Sequence, residues 1–280
     1  MDKGNNAVIG IDFQIDFCVA SMALPVPNAV EDCLRFAAFI SDNSARIEEV
    51  YLTHDCHDSH IATTDWWIDK NGNHPNPYQV LTYDEIKDSK WRINTMDQSL
   101  IEWGIEYARR LEEGDEASKL EAGRYVLTTW PLHCQIGSTG AAIMDSVLKA
   151  AVEWRQKKFY KIQHLTKGSN PFTEHYSAMK AAVVRPDDIS TGLNETFISL
   201  LQEHDTIYVG GEALNFCLRE TMLDIIRNFD SANVRKIVLL EDCTSAIPDQ
   251  PGDTYCQERT DEFMKEALAA GMRVAKSTEI

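Results

Sequence analysis

Short apolar runs alternate with amphipathic stretches along the chain. AVIGID (7–12), EEVYLTH (48–54), RYVLTT (124–129), FYKIQHL (159–165), TIYVGG (206–211) and KIVLLED (236–242) are each six or seven residues long. Their β-branched and aromatic content predicts strands. Between them the apolar positions change period. Ile143, Val147, Ala151 and Trp154 recur three or four apart, as do Leu218, Met222, Ile225 and Phe229, which is the spacing of one buried helix face. Strand and helix in alternation predict an α/β fold of three layers: a mostly parallel six-stranded sheet with helices on both faces.

One region breaks the rhythm. Residues 61–123 contain the turn-rich DWWIDKNGNHPNPYQV and then MDQSLIEWGIEYARRLEEGDE, in which Trp103, Tyr107 and Leu111 share a helical stripe. A structureless loop of this length is improbable inside a compact domain. The expectation is a helical insertion, 61–123, within a single domain spanning 1–280. The insertion is a candidate lid or a subunit contact, and the latter would make the protein a homo-oligomer.

Composition narrows the partners. The 44 acidic and 27 basic residues give a formal charge of −17, which repels phosphate backbones and anionic headgroups, so neither nucleic acid nor membrane is expected as a partner. No window approaches the roughly 20 apolar residues of a membrane span, and MDKGNNAVIGID lacks the apolar core of a signal peptide. Seven cysteines without a CxxC pair point to reduced thiols and a cytoplasmic location.

Open α/β sheets bind ligands at the carboxyl ends of their strands, so the polar residues that follow each run are the candidates. Asp12 ends the first. THDCHDSH, after the second, gathers Asp55, His57 and His60, a mixture of nitrogen and oxygen donors suited to a borderline divalent ion. His54 belongs to the strand and points away. His133, in WPLHC after the third run, is a candidate to complete an open three-ligand site, and Lys167 follows the fourth. VGGEALNFC delivers Cys217 to the start of a helix, where a thiolate is favoured and free backbone N–H groups can receive an oxyanion.

The segments IDFQIDFC, DCH, WPLHC with GSTGA, TKG, VGGEALNFC and LLEDC, in this order, resemble the isochorismatase-like cysteine hydrolases, and within them the metal-containing nicotinamidases. The resemblance implies a catalytic triad of Asp12, Lys167 and Cys217, an oxyanion hole from the N–H groups of Ala213 and Cys217, and Phe17 and Trp130 as aromatic walls. It implies one divalent metal ion on Asp55, His57 and His133, with His60 as a candidate further ligand; zinc is the first choice and iron or manganese the alternatives. The implied reaction is hydrolysis of nicotinamide, a small-molecule amide, to nicotinate and ammonia through a cysteine thioester. Glu212 departs from the family, which carries an aliphatic residue there. The alternatives are another amidase, an isochorismatase-type hydrolase of the same fold, and a silent binding or assembly protein. Cys134 is expected to pack beneath its loop, with GSTGA opening the next helix.

Overall fold

The computed structural model describes residues 4–280. Six strands form the central sheet: β1 (Asn6–Ile11), β2 (Ile47–Asp55), β3 (Gln163–Lys167), β4 (Thr206–Gly211), β5 (Ile237–Leu240) and β6 (Arg273–Ala275). Their spatial order is β3-β2-β1-β4-β5-β6, and every pairing is parallel. The order reverses between β1 and β4, which opens a crevice beyond their carboxyl ends.

Strand alternation assigns the two faces. Val8, Val50, Leu52, Val238 and Leu240 enter one core, while Ala7, Ile9, Ile11, Val209, Ile237 and Leu239 enter the other. Helices α1 (Ala29–Asp42), α2 (Gln98–Glu113) and α3 (Asp145–Lys158) supply the first core through Phe36, Ile40, Tyr107, Val147 and Trp154. Helices α4 (Glu195–Gln202), α5 (Arg219–Asn228) and α6 (Tyr255–Ala270) supply the second through Leu201, Met222, Ile225 and Phe263. Both faces of β1 are therefore dry, in keeping with its unbroken apolar run.

Three expectations are corrected. RYVLTT does not join the central sheet. Only Leu127–Thr128 is extended, paired antiparallel with Val80–Leu81 of the insertion. The Thr129 N–H donates to the Gln79 carbonyl at 2.8 Å and the Trp130 N–H to that of Ala62 at 2.8 Å, so the insertion satisfies this backbone. The sixth strand is Arg273–Ala275, a partly exposed three-residue segment with little apolar signal. In FYKIQHL, Phe159 caps α3 at φ 55° and is exposed, and the strand begins only at Gln163. Finally, GSTGA does not open a helix. Backbone N–H groups of Ile15 and Asp16 donate to the carbonyls of Ala142 (2.9 Å) and Gly140 (3.0 Å), and helix α3 starts at Asp145 without a side-chain cap.

Residues 61–123 extend the first core. Trp67, Leu81, Ile86, Trp91, Ile93, Tyr107 and Leu111 are buried in continuity with it. Trp67 is fully buried, with its indole N–H donating to the Ile61 carbonyl at 2.7 Å. Truncation there leaves a cavity and an unsatisfied carbonyl, so Trp67→Ala should lower stability by about 3–5 kcal/mol, read from the denaturant midpoint at unchanged slope.

Candidate active site

β1 ends at Ile11, and the next residue turns sharply out of the sheet: Asp12 has φ 47°, a left-handed conformation rare outside glycine and typical of strained functional positions. Thr53 of β2 holds it. The Thr53 hydroxyl accepts the Asp12 N–H at 3.0 Å and donates to Asp12 Oδ1. Gln14 clamps the neighbouring strand end, with its amide bonding both the N–H and the carbonyl of Asp55 at 2.7 Å. Two carboxylates are thus fixed side by side at the carboxyl ends of β1 and β2.

Lys167, the last residue of β3, lies between them. Its Nζ is 2.9 Å from Asp12 Oδ2, 3.0 Å from Asp55 Oδ1 and 3.6 Å from Cys217 Sγ. All four side chains are buried. Burial disfavours the Lys167 charge, but the two carboxylates and the sulfur hold its pKa well above the ordinary value. Burial and the Asp55 charge raise Asp12 against the pull of Lys167. Cys217 is raised well above the usual thiol range by burial, with Lys167 opposing and both carboxylates reinforcing.

Asp55 also faces two imidazoles. Its Oδ2 is 3.1 Å from His57 Nε2 and 3.4 Å from His133 Nε2, and the three side chains form one compact donor set. The opposite ring nitrogens are engaged by carbonyls: His57 Nδ1 with Asp58 at 3.1 Å and His133 Nδ1 with Pro131 at 2.7 Å. A neutral ring donating from Nδ1 directs its Nε2 lone pair at the carboxylate, an arrangement that calls for a cation between them. The same field acts on the ring itself: burial opposes a charge on His57, yet Asp55 moves its pKa up to about 9. The donor set fits a divalent ion. Gly168 keeps the space clear, since a Cβ there would lie 2.8 Å from Asp55 Oδ1.

His60 is buried beside His57, with ring centroids 4.2 Å apart, but it stands outside the three-residue donor set. The Ala62 N–H lies 3.3 Å from its Nδ1, and its buried Nε2 has no hydrogen-bond partner. His54 points elsewhere, to His164.

Phe17, Trp130, Ala213 and Cys217 line a common pocket with Asp55 and His133. Tyr176 and Phe216 add aromatic walls, and Leu24, Val26 and Ile247 close the apolar side. The cavity left between them is about 20 Å3, room for a single water. Ala213 follows a cis peptide from Glu212. Glu212 points away from the pocket, accepting the Ser245 N–H at 3.3 Å, and burial beside Asp32 raises its pKa well above the ordinary value. Cys134 is fully buried; its N–H donates to Asp16 Oδ2 at 2.6 Å, and burial pushes its thiol far up.

Glu174 and Tyr176 also line the pocket, although neither stands in a recognisable motif. Glu174 is a buried carboxyl at the pocket wall with Oε2 3.8 Å from His60 Nδ1, raised by burial and by Asp55. The Trp130 indole donates to the Tyr176 hydroxyl at 2.8 Å. Both residues come from the irregular segment after Lys167. Its one signal was an acid and an aromatic two residues apart, just downstream of a strand tip.

No family model matches the sequence, and no curated protein matches it. Solved structures do. The yeast nicotinamidase superposes with TM-score 0.62 at 19% identity over 96% of this chain and 99% of that one. A nicotinamidase/pyrazinamidase of Acinetobacter baumannii gives 0.59 at 19% over 100% and 99%. The pyrazinamidase of Pyrococcus horikoshii in complex with zinc gives 0.53 at 17% over 97% and 99%. The chain has the isochorismatase-like fold. No helix among the described residues is long and apolar enough to cross a membrane.

The turn that carries Cys217 rests on a buried ionic cluster. Cys217 lies in a π-helical turn, Leu214–Leu218, that runs into α5. Arg259 of α6 donates to the Asn215 carbonyl at 3.0 Å and stacks over Phe216 at 5.0 Å. Glu220 anchors Arg259 at 2.6 Å, Arg124 at 2.7 Å and the Tyr125 hydroxyl at 2.7 Å. Burial opposes its charge, but the arginines bring its pKa down to about 2 from the ordinary 4.5. A depressed carboxyl contributes stability that is full above its ordinary pKa and is lost as pH falls toward the folded value. Glu220→Gln, which leaves the arginines without their counter-charge, should cost about 3–5 kcal/mol at neutral pH. Thermal melts should also show a shallower loss of Tm for the variant between pH 4.5 and 2.

Proposed function

We propose that the protein is a cysteine amidohydrolase of the nicotinamidase type, releasing ammonia from a flat pyridine carboxamide. The observation that carries this reading is Lys167, whose ammonium joins Asp12, Asp55 and Cys217 in one buried cluster. It links a nucleophile and its base directly to the Asp55, His57 and His133 donor set.

In the first half-reaction Asp12 takes the thiol proton and Cys217 Sγ attacks the amide carbonyl carbon. The backbone N–H groups of Ala213 and Cys217 receive the oxyanion. Asp12 then returns the proton to the departing nitrogen, so the C–N bond breaks to give ammonia and a thioester. In the second half Asp12 accepts a proton from water, whose oxygen attacks the thioester carbonyl; the C–S bond breaks, Asp12 passes that proton to the departing Cys217 sulfur, and the acid leaves. Lys167 keeps Asp12 oriented, and its ammonium offsets the negative charge as it passes from Asp12 to the sulfur. Phe17, Trp130, Tyr176 and Phe216 form the walls for a planar ring, and the tight cavity requires them to part on entry. Asp55, His57 and His133 would hold a divalent ion, zinc being the first choice for such ligands, and it would supply Lewis acidity beside the ring-binding pocket.

Ammonia release from nicotinamide, pyrazinamide and benzamide tests the reading. Turnover is expected for the two ring-nitrogen amides and to be weak for benzamide; no turnover of either pyridine or pyrazine amide would remove the assignment. Cys217→Ala should reduce kcat by about 1,000-fold or more with an unchanged circular dichroism spectrum. Prolonged dialysis against a chelator should abolish ring-amide turnover, and stoichiometric zinc should restore it, with metal content followed by elemental analysis.

A further inference from the structure

A second cleft, of about 320 Å3, lies against the C-terminal half of α5, the helix that follows the Cys217 turn. The end of the insertion, the segment leading to α4 and α5 itself enclose it. Four cations line it, Lys119, Arg124, Lys180 and Arg227, against two carboxylates, Glu195 and Asp224. This runs counter to the chain's formal charge of −17.

The cations are unequally satisfied. Arg124 is paired with Glu220 and, at 3.0 Å, with Asp224. Arg227 reaches the exposed Glu121 at 3.0 Å and Glu266 at 3.3 Å. Half-buried Lys180 has a different environment. Its Nζ donates to the Ser118 carbonyl at 2.6 Å, and no carboxylate pairs with it among the described residues. An ammonium has three donors, so two remain for a ligand. Burial lowers the Lys180 pKa, and Arg124, Arg227 and Lys119 lower it further against the opposing pull of Asp224. Gly192, Leu193 and Glu195 bring the start of α4 to the same cleft, and a helix N-terminus favours negative charge.

We propose that this cleft binds a phosphate-bearing small molecule, with Lys180 and Arg227 as its principal contacts. Lysine and arginine together can engage several oxygens of one tetrahedral anion. The cleft has room for a phosphate ester beyond a bare phosphate, and the exposed Lys119 guards its rim.

The proposal goes beyond the amidohydrolase reading and is tested by binding alone. Isothermal titration of the full chain at low ionic strength with glycerol 3-phosphate and with orthophosphate, and with glycerol as control, reads it directly. One glycerol 3-phosphate or orthophosphate per chain is expected to bind, the stronger of the two distinguishing ester from free phosphate, while glycerol gives no heat of binding. Lys180→Met and Arg227→Gln should each weaken the binding by about tenfold or more while keeping the wild-type melting profile. Absence of binding by both phosphates up to about 10 mM, or equal binding by wild type and both variants, overturns the proposal. Should Lys180→Met fail to fold, Arg227→Gln, on an exposed residue, carries the same test.

Discussion

One ammonium between two buried carboxylates is the interaction on which the site depends. Asp12 and Asp55 cannot both remain ionised in a dry crevice without a cation, because desolvation of two like charges would protonate one of them. Lys167 supplies that cation at 2.9 and 3.0 Å. The three residues terminate adjacent parallel strands, so the order β3-β2-β1 delivers the triplet without any loop having to find its place. Each residue's register is then fixed by the sheet, and Thr53 and Gln14 settle the carboxylates' orientations.

The arrangement also divides labour between the two carboxylates. Lys167 and His57 draw the Asp55 pKa well below the ordinary carboxylate range despite its burial, whereas Asp12 is raised. Asp55 therefore remains an anion facing two imidazole nitrogens, while Asp12 has the basicity to exchange a proton with a neighbouring thiol. Two acids of the same type acquire different chemistry from their surroundings alone. The cysteine that shares a loop with His133 is excluded from this chemistry: Cys134 is sealed away, and its N–H is spent on Asp16.

The strand-end residues were legible because period and chemistry coincide there. Asp12 and Asp55 each follow an apolar run, Lys167 closes the mixed strand QHLTK, and Cys217 follows a glycine turn, so all four fall at carboxyl ends of strands, where the sequence resemblance groups Asp12, Lys167 and Cys217. His133 reaches the site by another route. The segment before it has the composition of a central strand, yet it pairs with Val80–Leu81, and a parallel bridge between His57 and Gln135 brings His133 to Asp55. Glu174 and Tyr176 were illegible because their segment has no period to read, and the short sixth strand carries too little apolar surface to announce itself. Tertiary hydrogen bonds outweighed local propensity at each of these places.

The insertion accounts for how an irregular segment can form a wall of the pocket. Residues 168–184 have no regular secondary structure to hold them, and their backbone groups must be satisfied individually. Helix α2 of the insertion does part of this: the buried Tyr107 hydroxyl accepts the Glu174 N–H at 3.0 Å, and the Trp103 indole donates to the Phe172 carbonyl at 2.9 Å. Arg185 stacks over Trp103 at 4.3 Å and fastens the far end. The stripe of Trp103, Tyr107 and Leu111, evident in the sequence only as one face of a helix, thus sets the position of Glu174 and, two residues on, of Tyr176 against Trp130. Changes in α2 that leave the strand ends untouched should therefore act on the shape of the pocket wall rather than on the Asp12, Lys167 and Cys217 cluster. This separates the part of the site fixed by the sheet from the part fixed by the insertion.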